Sequence, residues 1–119
     1  MKNTLFPALA LGGLLFVYPV PLLRGHAILL STVPALNETI HGGAAQVQLR
    51  FNARIDAGRS RLILVLPGGE DRPLPAGQPS PGILTSEVSG LAPGSYILRW
   101  QVLAEDGHIT RGQLPFRAQ

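Results

Sequence analysis

The chain has 119 residues, no cysteine, and 10 Lys plus Arg against 7 Asp plus Glu. The lack of cysteine excludes disulfides, thiolate metal sites and cysteine nucleophiles, so an exported domain of this sequence depends on its core for stability. Lys2 and Arg24 lie in the first 25 residues; without them eight dispersed arginines face seven acidic side chains, a net charge of +1 that gives no case for nucleic acid.

Residues 1–25 read as a signal peptide. Lys2 supplies a positive start, Leu5 to Tyr18 an apolar stretch, and Pro19 and Pro21 break any helix before a cleavage zone. Two cuts compete. Cleavage after Gly25 leaves His26 first, with Leu23 at the third position before the cut. Cleavage after Ala27 has the better small-x-small pattern but removes His26. An uncleaved membrane anchor is the third possibility, since the apolar run is close to the roughly 18 residues a spanning helix needs.

Residues 26–119 read as one domain with no helix. Pro and Gly recur at short intervals, which favours several short strands. Ala27 to Ser31 is a first strand, and residues 35–45 a loop. Gln46 to Asn52 alternates, with Val47, Leu49 and Phe51 on one face. Arg61 to Pro67 is nearly continuous apolar, as a strand covered on both sides would be. Leu66-Pro67-Gly68-Gly69-Glu70 is a hairpin-type turn, residues 67–82 an exposed loop, and Ile83 to Ser89 a weaker strand. Ser95 to Ala104 is the best strand, with Tyr96, Leu98, Trp100 and Val102 inward; Thr110 to Arg117 closes the domain with Leu114 and Phe116 inward. Six or seven such strands make an all-β antiparallel sandwich. Trp100 is expected between its sheets, and Tyr96, just past a Leu-x-Pro-Gly turn, as a corner tyrosine bonded to backbone.

Chemistry concentrates in two short segments. A mature chain starting at His26 would present an α-amine and an imidazole on one residue, and the amine, ordinarily near pKa 8, is readily displaced of its proton by a metal. Asp106 and His108 are two residues apart, so on an extended backbone both point the same way. If the segments meet, two imidazoles, an amine and a carboxylate suit Cu(II) in a square-planar or tetragonal site. Asp-Gly-His alone is a weak signal, because Asp-Gly is a common turn. The third histidine, His41, reads as a solvated loop residue. The serines carry no nucleophile motif, and no phosphate-binding loop is present.

The stretch 26–119 resembles the CopC family, including its YobA-like members. His26-Ala27-Ile28-Leu29-Leu30-Ser31-Thr32-Val33-Pro34 matches the family's mature start, and Gln48-Leu49-Arg50-Phe51-Asn52 its second strand. The most specific match runs from Leu91-Ala92-Pro93-Gly94-Ser95-Tyr96 through Trp100 to Glu105-Asp106-Gly107-His108, followed by Gly112 to Phe116. The resemblance implies a seven-stranded Greek-key, Ig-like sandwich with a surface Cu(II) site formed by His26, Asp106 and His108. It also implies a monomeric periplasmic copper carrier in copper homeostasis or resistance, with no enzymatic activity, and a CopD-like membrane permease as partner. Two departures stand out. Asn52, Ala53 and Arg54 follow Phe51 where some members place a further Glu ligand, and the only methionine is Met1, which excludes a thioether Cu(I) site. Competing readings are a non-metal Ig-like interaction module, if His26 loses its free amine, and a copper-dependent oxidative enzyme, which would need an open coordination position and a substrate surface.

Overall fold

A computed structural model describes residues 27–119; the expected leader and His26 lie outside the described residues. Nine strands form: β1 (Leu29–Val33), β2 (Thr39–Ile40), β3 (Ala45–Phe51), β4 (Ile55–Val65), β5 (Asp71–Leu74), β6 (Gly77–Ser80), β7 (Ile83–Val88), β8 (Gly94–Ala104) and β9 (Ile109–Ala118). They make two sheets, ordered β1-β3-β7-β6 and β2-β9-β8-β4-β5. Every pairing is antiparallel except the two-residue β2 against β9. Among the described residues there is no helix, and the architecture is an Ig-like sandwich as expected.

Alternation along the long strands builds the core. Val47, Leu49 and Phe51 on β3, with Leu84 beside them on β7, face Leu62 and Leu64 on β4 and Tyr96, Leu98, Trp100 and Val102 on β8, all in one buried cluster with Leu114 and Phe116. The Tyr96 and Phe116 rings stack with centroids 5.6 Å apart. The Tyr96 hydroxyl donates to the Ala92 carbonyl at 2.6 Å, the corner role its place after the turn implies. Trp100 lies on the inner face with its indole over Gly112, its partner in the β8–β9 register. A Cβ at residue 112 would collide with that ring, so glycine there makes room for the tryptophan.

Three stretches differ from expectation. The loop at residues 67–82 contains β5 and β6, both edge strands carrying a proline (Pro73 and Pro79). An edge strand has one unpaired side and tolerates a missing N–H, so Pro marks an edge here instead of excluding a strand. With β2 these add three strands to the six placed from the sequence, making nine. The apolar run on β4 is covered on one side only: Leu62 and Leu64 are buried, whereas Ile63 and Val65 are half-exposed on the outer face. Finally, β4 begins at Ile55 and not near Arg61, because residues between Asp56 and Arg61 bulge out of register. Ser60 holds that bulge, donating to the Asp56 carbonyl at 2.7 Å and accepting the Leu103 N–H at 3.0 Å.

Candidate metal centre

The β8–β9 hairpin closes through Glu105 to His108. The Ala104 N–H donates to the His108 carbonyl at 2.8 Å, and the Gly107 N–H to the Ala104 carbonyl at 2.9 Å. Gly107 takes φ 96°, a left-handed conformation that costs glycine little and a β-carbon-bearing residue more. Asp106 and His108 therefore do not lie on extended chain, which corrects the expected alternation. They converge because the turn folds on the Asp106 carboxylate. Its Oδ1 accepts the His108 backbone N–H at 3.1 Å, and its Oδ2 lies 2.7 Å from His108 Nδ1. This is an Asp-Gly turn doing what the short acidic side chain favours.

Both side chains reach solvent, His108 at 59% and Asp106 at 35% exposure. The backbone N–H of His108, and after it the His108 ring, hold the Asp106 carboxyl below its ordinary range, so the group is a charged acceptor at neutral pH. The spacing also suits a metal. Two donors at right angles on an ion, each about 2.0 Å away, sit about 2.8 Å apart, close to the observed 2.7 Å. An ion bound by both would sit to one side of the line between them, with the hydrogen bond given up.

The start of the described chain is tied to the same end of the sandwich. Ala27 is 1% exposed and belongs to the core. The Ile28 N–H donates to Asn52 Oδ1 at 2.7 Å, and the Asn52 N–H returns a bond to the Ile28 carbonyl at 3.0 Å. Two residues further along that β3–β4 connection, the Arg54 carbonyl accepts the Glu105 N–H at 3.1 Å, and the two side chains form an exposed ion pair at 3.6 Å. One short connection, Asn52 to Arg54, thus braces both the emerging N-terminal chain and the Asp106-Gly107-His108 turn.

Of the three expected ligands, the structure brings Asp106 and His108 together; His26 lies outside the described residues. Among the described residues no cluster of three or more His, Cys, Asp or Glu could hold a metal. His41 sits exposed between β2 and β3, as expected. Ala53 supplies no donor side chain beside the turn. The bracing role of Asn52 and Arg54 was not read from the sequence, and no local signal carries it: an Asn after a strand reads as a turn residue, and its partner is 24 positions away.

Comparison with known proteins gives the family. The family model for the CopC domain matches residues 29–119. A curated relative, Protein YobA of Escherichia coli strain K12, is 29% identical over 100 residues, covering 81% of each chain. The crystal structure of CopC from Methylosinus trichosporium OB3b superposes with a TM-score of 0.71 at 28% identity, over 79% of this chain and 94% of that one. PcoC from Escherichia coli, described as a methionine-rich copper resistance protein, shares the fold with a TM-score of 0.61 at 21% identity, over 79% of this chain and 99% of its own. The chain belongs to the CopC family.

Proposed function

We propose that this CopC-family domain is a copper carrier or buffer exported to the bacterial periplasm. It would hold one Cu(II) through the amine and imidazole of a mature N-terminal His26 together with Asp106 and His108. The observation that carries the reading is the Asp106–His108 pair at 2.7 Å, on a turn braced by the same connection that anchors Ala27 and Ile28. The donors are nitrogen and oxygen, with no thiolate available and a single methionine at position 1, which favours Cu(II) over Cu(I). The burial of Ala27 favours a cut upstream of it, since cleavage after Ala27 would remove a core residue along with His26. The solved relative described as a copper resistance protein makes copper the metal to test first. A hairpin turn and a chain end on an exposed surface suit exchange with a partner, for which a membrane copper permease is the candidate. The reading is therefore of a carrier.

The test is the native mass of the exported protein with and without one equivalent of Cu(II). A chain starting at His26 that takes up one copper, and a His108→Ala variant that folds with unchanged melting temperature but loses tight binding, are the expected results. A chain starting at Ile28 that takes up no copper, or an unchanged affinity in the variant, would reject the reading and leave a non-metal interaction module.

A further inference from the structure

The charges of this domain are segregated. In a twisted antiparallel sheet, side chains two apart on a strand and directly opposite across strands share a face. On the outer face of the five-stranded sheet, Arg61 on β4, Gln101 on β8 and Arg111 on β9 form one cross-strand row; Ile63, Arg99 and Gln113 form the next. Arg117 stands opposite Ser95 further along. Four of the eight arginines beyond residue 25 are therefore on this face, against two carboxylates: Asp71, which pairs with Arg99 at 2.7 Å, and Asp56, opposite Leu103 at the far end and paired with Arg59 at 3.7 Å. The other four arginines share the rest of the domain with five carboxylates. A domain of net charge +1 thus carries a balance of about two positive charges on one sheet face and a negative balance elsewhere.

The face also has shape. Arg61, Arg99 and Arg111, with Ile63, Gln101 and Gln113, line a shallow concavity of about 530 Å³. Neighbouring strands lie about 4.8 Å apart, so the Arg61 and Arg111 backbones, two strands apart, are separated by about 10 Å with Gln101 between them. Gln101 Oε1 accepts Arg111 Nε–H at 2.8 Å, which steadies that guanidinium over the concavity. Among the described residues, Arg61, Arg111 and Arg117 make no ion pair with a carboxylate of this domain.

We propose that this face docks an acidic segment of a protein partner, its carboxylates received by Arg61, Arg99 and Arg111. Guanidinium groups grip carboxylates bidentately, and arginine, not lysine, is the cation enriched in protein interfaces. The half-buried apolar neighbours Ile63 and Ile97 suit the centre of such a contact. A bilayer is the poorer occupant: of the exposed large apolar residues only Ile109, opposite Leu103 at one end of β9, is on this face, while Ile28, Leu30, Val33 and Leu36 lie off it, which leaves the arginine rows little to insert among lipid chains. The inference concerns a different surface from the Asp106–His108 turn and does not rest on copper binding.

The test uses the metal-free exported protein, labelled for NMR, with a synthetic peptide alternating Glu and Ser and its Gln counterpart. The expected result is saturable amide shifts confined to β4, β8 and β9 on the outer face, seen with the Glu peptide and not the Gln peptide. Arg61→Gln with Arg111→Gln should weaken binding roughly two- to thirtyfold, as two exposed charge pairs would, whereas Arg50→Gln with Arg72→Gln should change it less than twofold. No saturable binding, shifts centred on the other sheet, or an unaffected Arg61/Arg111 variant would overturn the proposal. So would tighter binding to phosphatidylcholine vesicles containing phosphatidylglycerol than to the peptide, which would assign the face to a membrane surface.

Discussion

Replacing Asn52 by Ala isolates the link between the sandwich and its emerging N-terminal chain. The substitution deletes the Oδ1 acceptor of the 2.7 Å bond from Ile28 N–H but leaves the backbone bond from Asn52 N–H to the Ile28 carbonyl. Both residues are exposed, so water can satisfy the freed N–H and the loss is that of one net hydrogen bond, about 1 kcal/mol. Its effect on the whole fold should be small, a few degrees in melting temperature for a domain of this size. On local order the same 1 kcal/mol multiplies the population of the detached start of β1 by about fivefold. If His26 is a ligand, that ordering must be regained on binding, and Cu(II) affinity should fall by up to about fivefold. Asn52→Asp keeps an acceptor at the same reach and should retain most of the affinity. The assay is competition for Cu(II) against a chelator of known affinity, with hydrogen exchange at the Ile28 amide as the local readout. Unchanged Ile28 exchange in Asn52→Ala would refute the bracing role. Faster exchange with unchanged copper affinity would show that the N-terminal residue is not a ligand. A melting temperature lowered by more than about 10 °C would show that Asn52 supports the core and not only the chain end.

Gly112→Ala should destabilise the domain by about 1–3 kcal/mol, because the new Cβ meets the Trp100 indole in a packed core; an unchanged denaturant midpoint would contradict that packing. Ser86 is buried with its hydroxyl unpartnered, so Ser86→Ala should leave the unfolding free energy unchanged or raise it by up to about 1 kcal/mol, and a clear loss would reveal a partner for the hydroxyl. In the metal-free protein the Asp106 carboxyl titrates below its unfolded value, so its contribution to stability is present above the unfolded pKa and is lost as pH falls through the lower folded one. NMR titration of the Asp106 side chain should give a midpoint below that of a model peptide, and Asp106→Asn should remove that part of the acid dependence.

What was legible in the sequence was local. The alternation of Val47, Leu49 and Phe51, and of Tyr96 through Val102, states which face is buried without reference to any partner strand, and every one of those side chains is in the core. Tyr96 after its Pro-Gly turn is equally local, and so is the Leu66 to Glu70 hairpin, closed by the Leu66 N–H to the Glu70 carbonyl at 2.8 Å. The misread stretches depend on distant neighbours. Whether Ile63 and Val65 are covered depends on what lies over the sheet, and whether Pro73 ends a strand or edges one depends on β4 pairing with it. The pair Asp106 and His108 was identified by residue type and spacing, while the means of their convergence, an Asx-type turn instead of strand alternation, depends on hydrogen bonds that spacing alone does not specify.

The placement of the candidate centre follows from the sandwich itself. An antiparallel hairpin must turn at the sandwich's end, and there β8 and β9, the most extensively paired strands, deliver Asp106 and His108 on a rigid base. A donor from an N-terminal chain can join them only if that chain leaves the sheet at the same end. The Asn52 to Arg54 connection arranges this by bonding Ile28 on one side and Glu105 on the other. On the proposed reading the two halves of the site then differ in stiffness. Asp106 and His108 are held 2.7 Å apart before any ion arrives, so little ordering is needed to use them. On that reading His26 would join the site through the chain held at Ile28, so its arrival and departure would set the rate of metal exchange. Stiffening the tether should therefore slow copper release more than it tightens the site. Asn52→Ala should do the opposite, speeding release to a chelator while His108→Ala abolishes tight binding outright. Equal release rates in the wild-type protein and Asn52→Ala would mean that the chain end does not gate exchange.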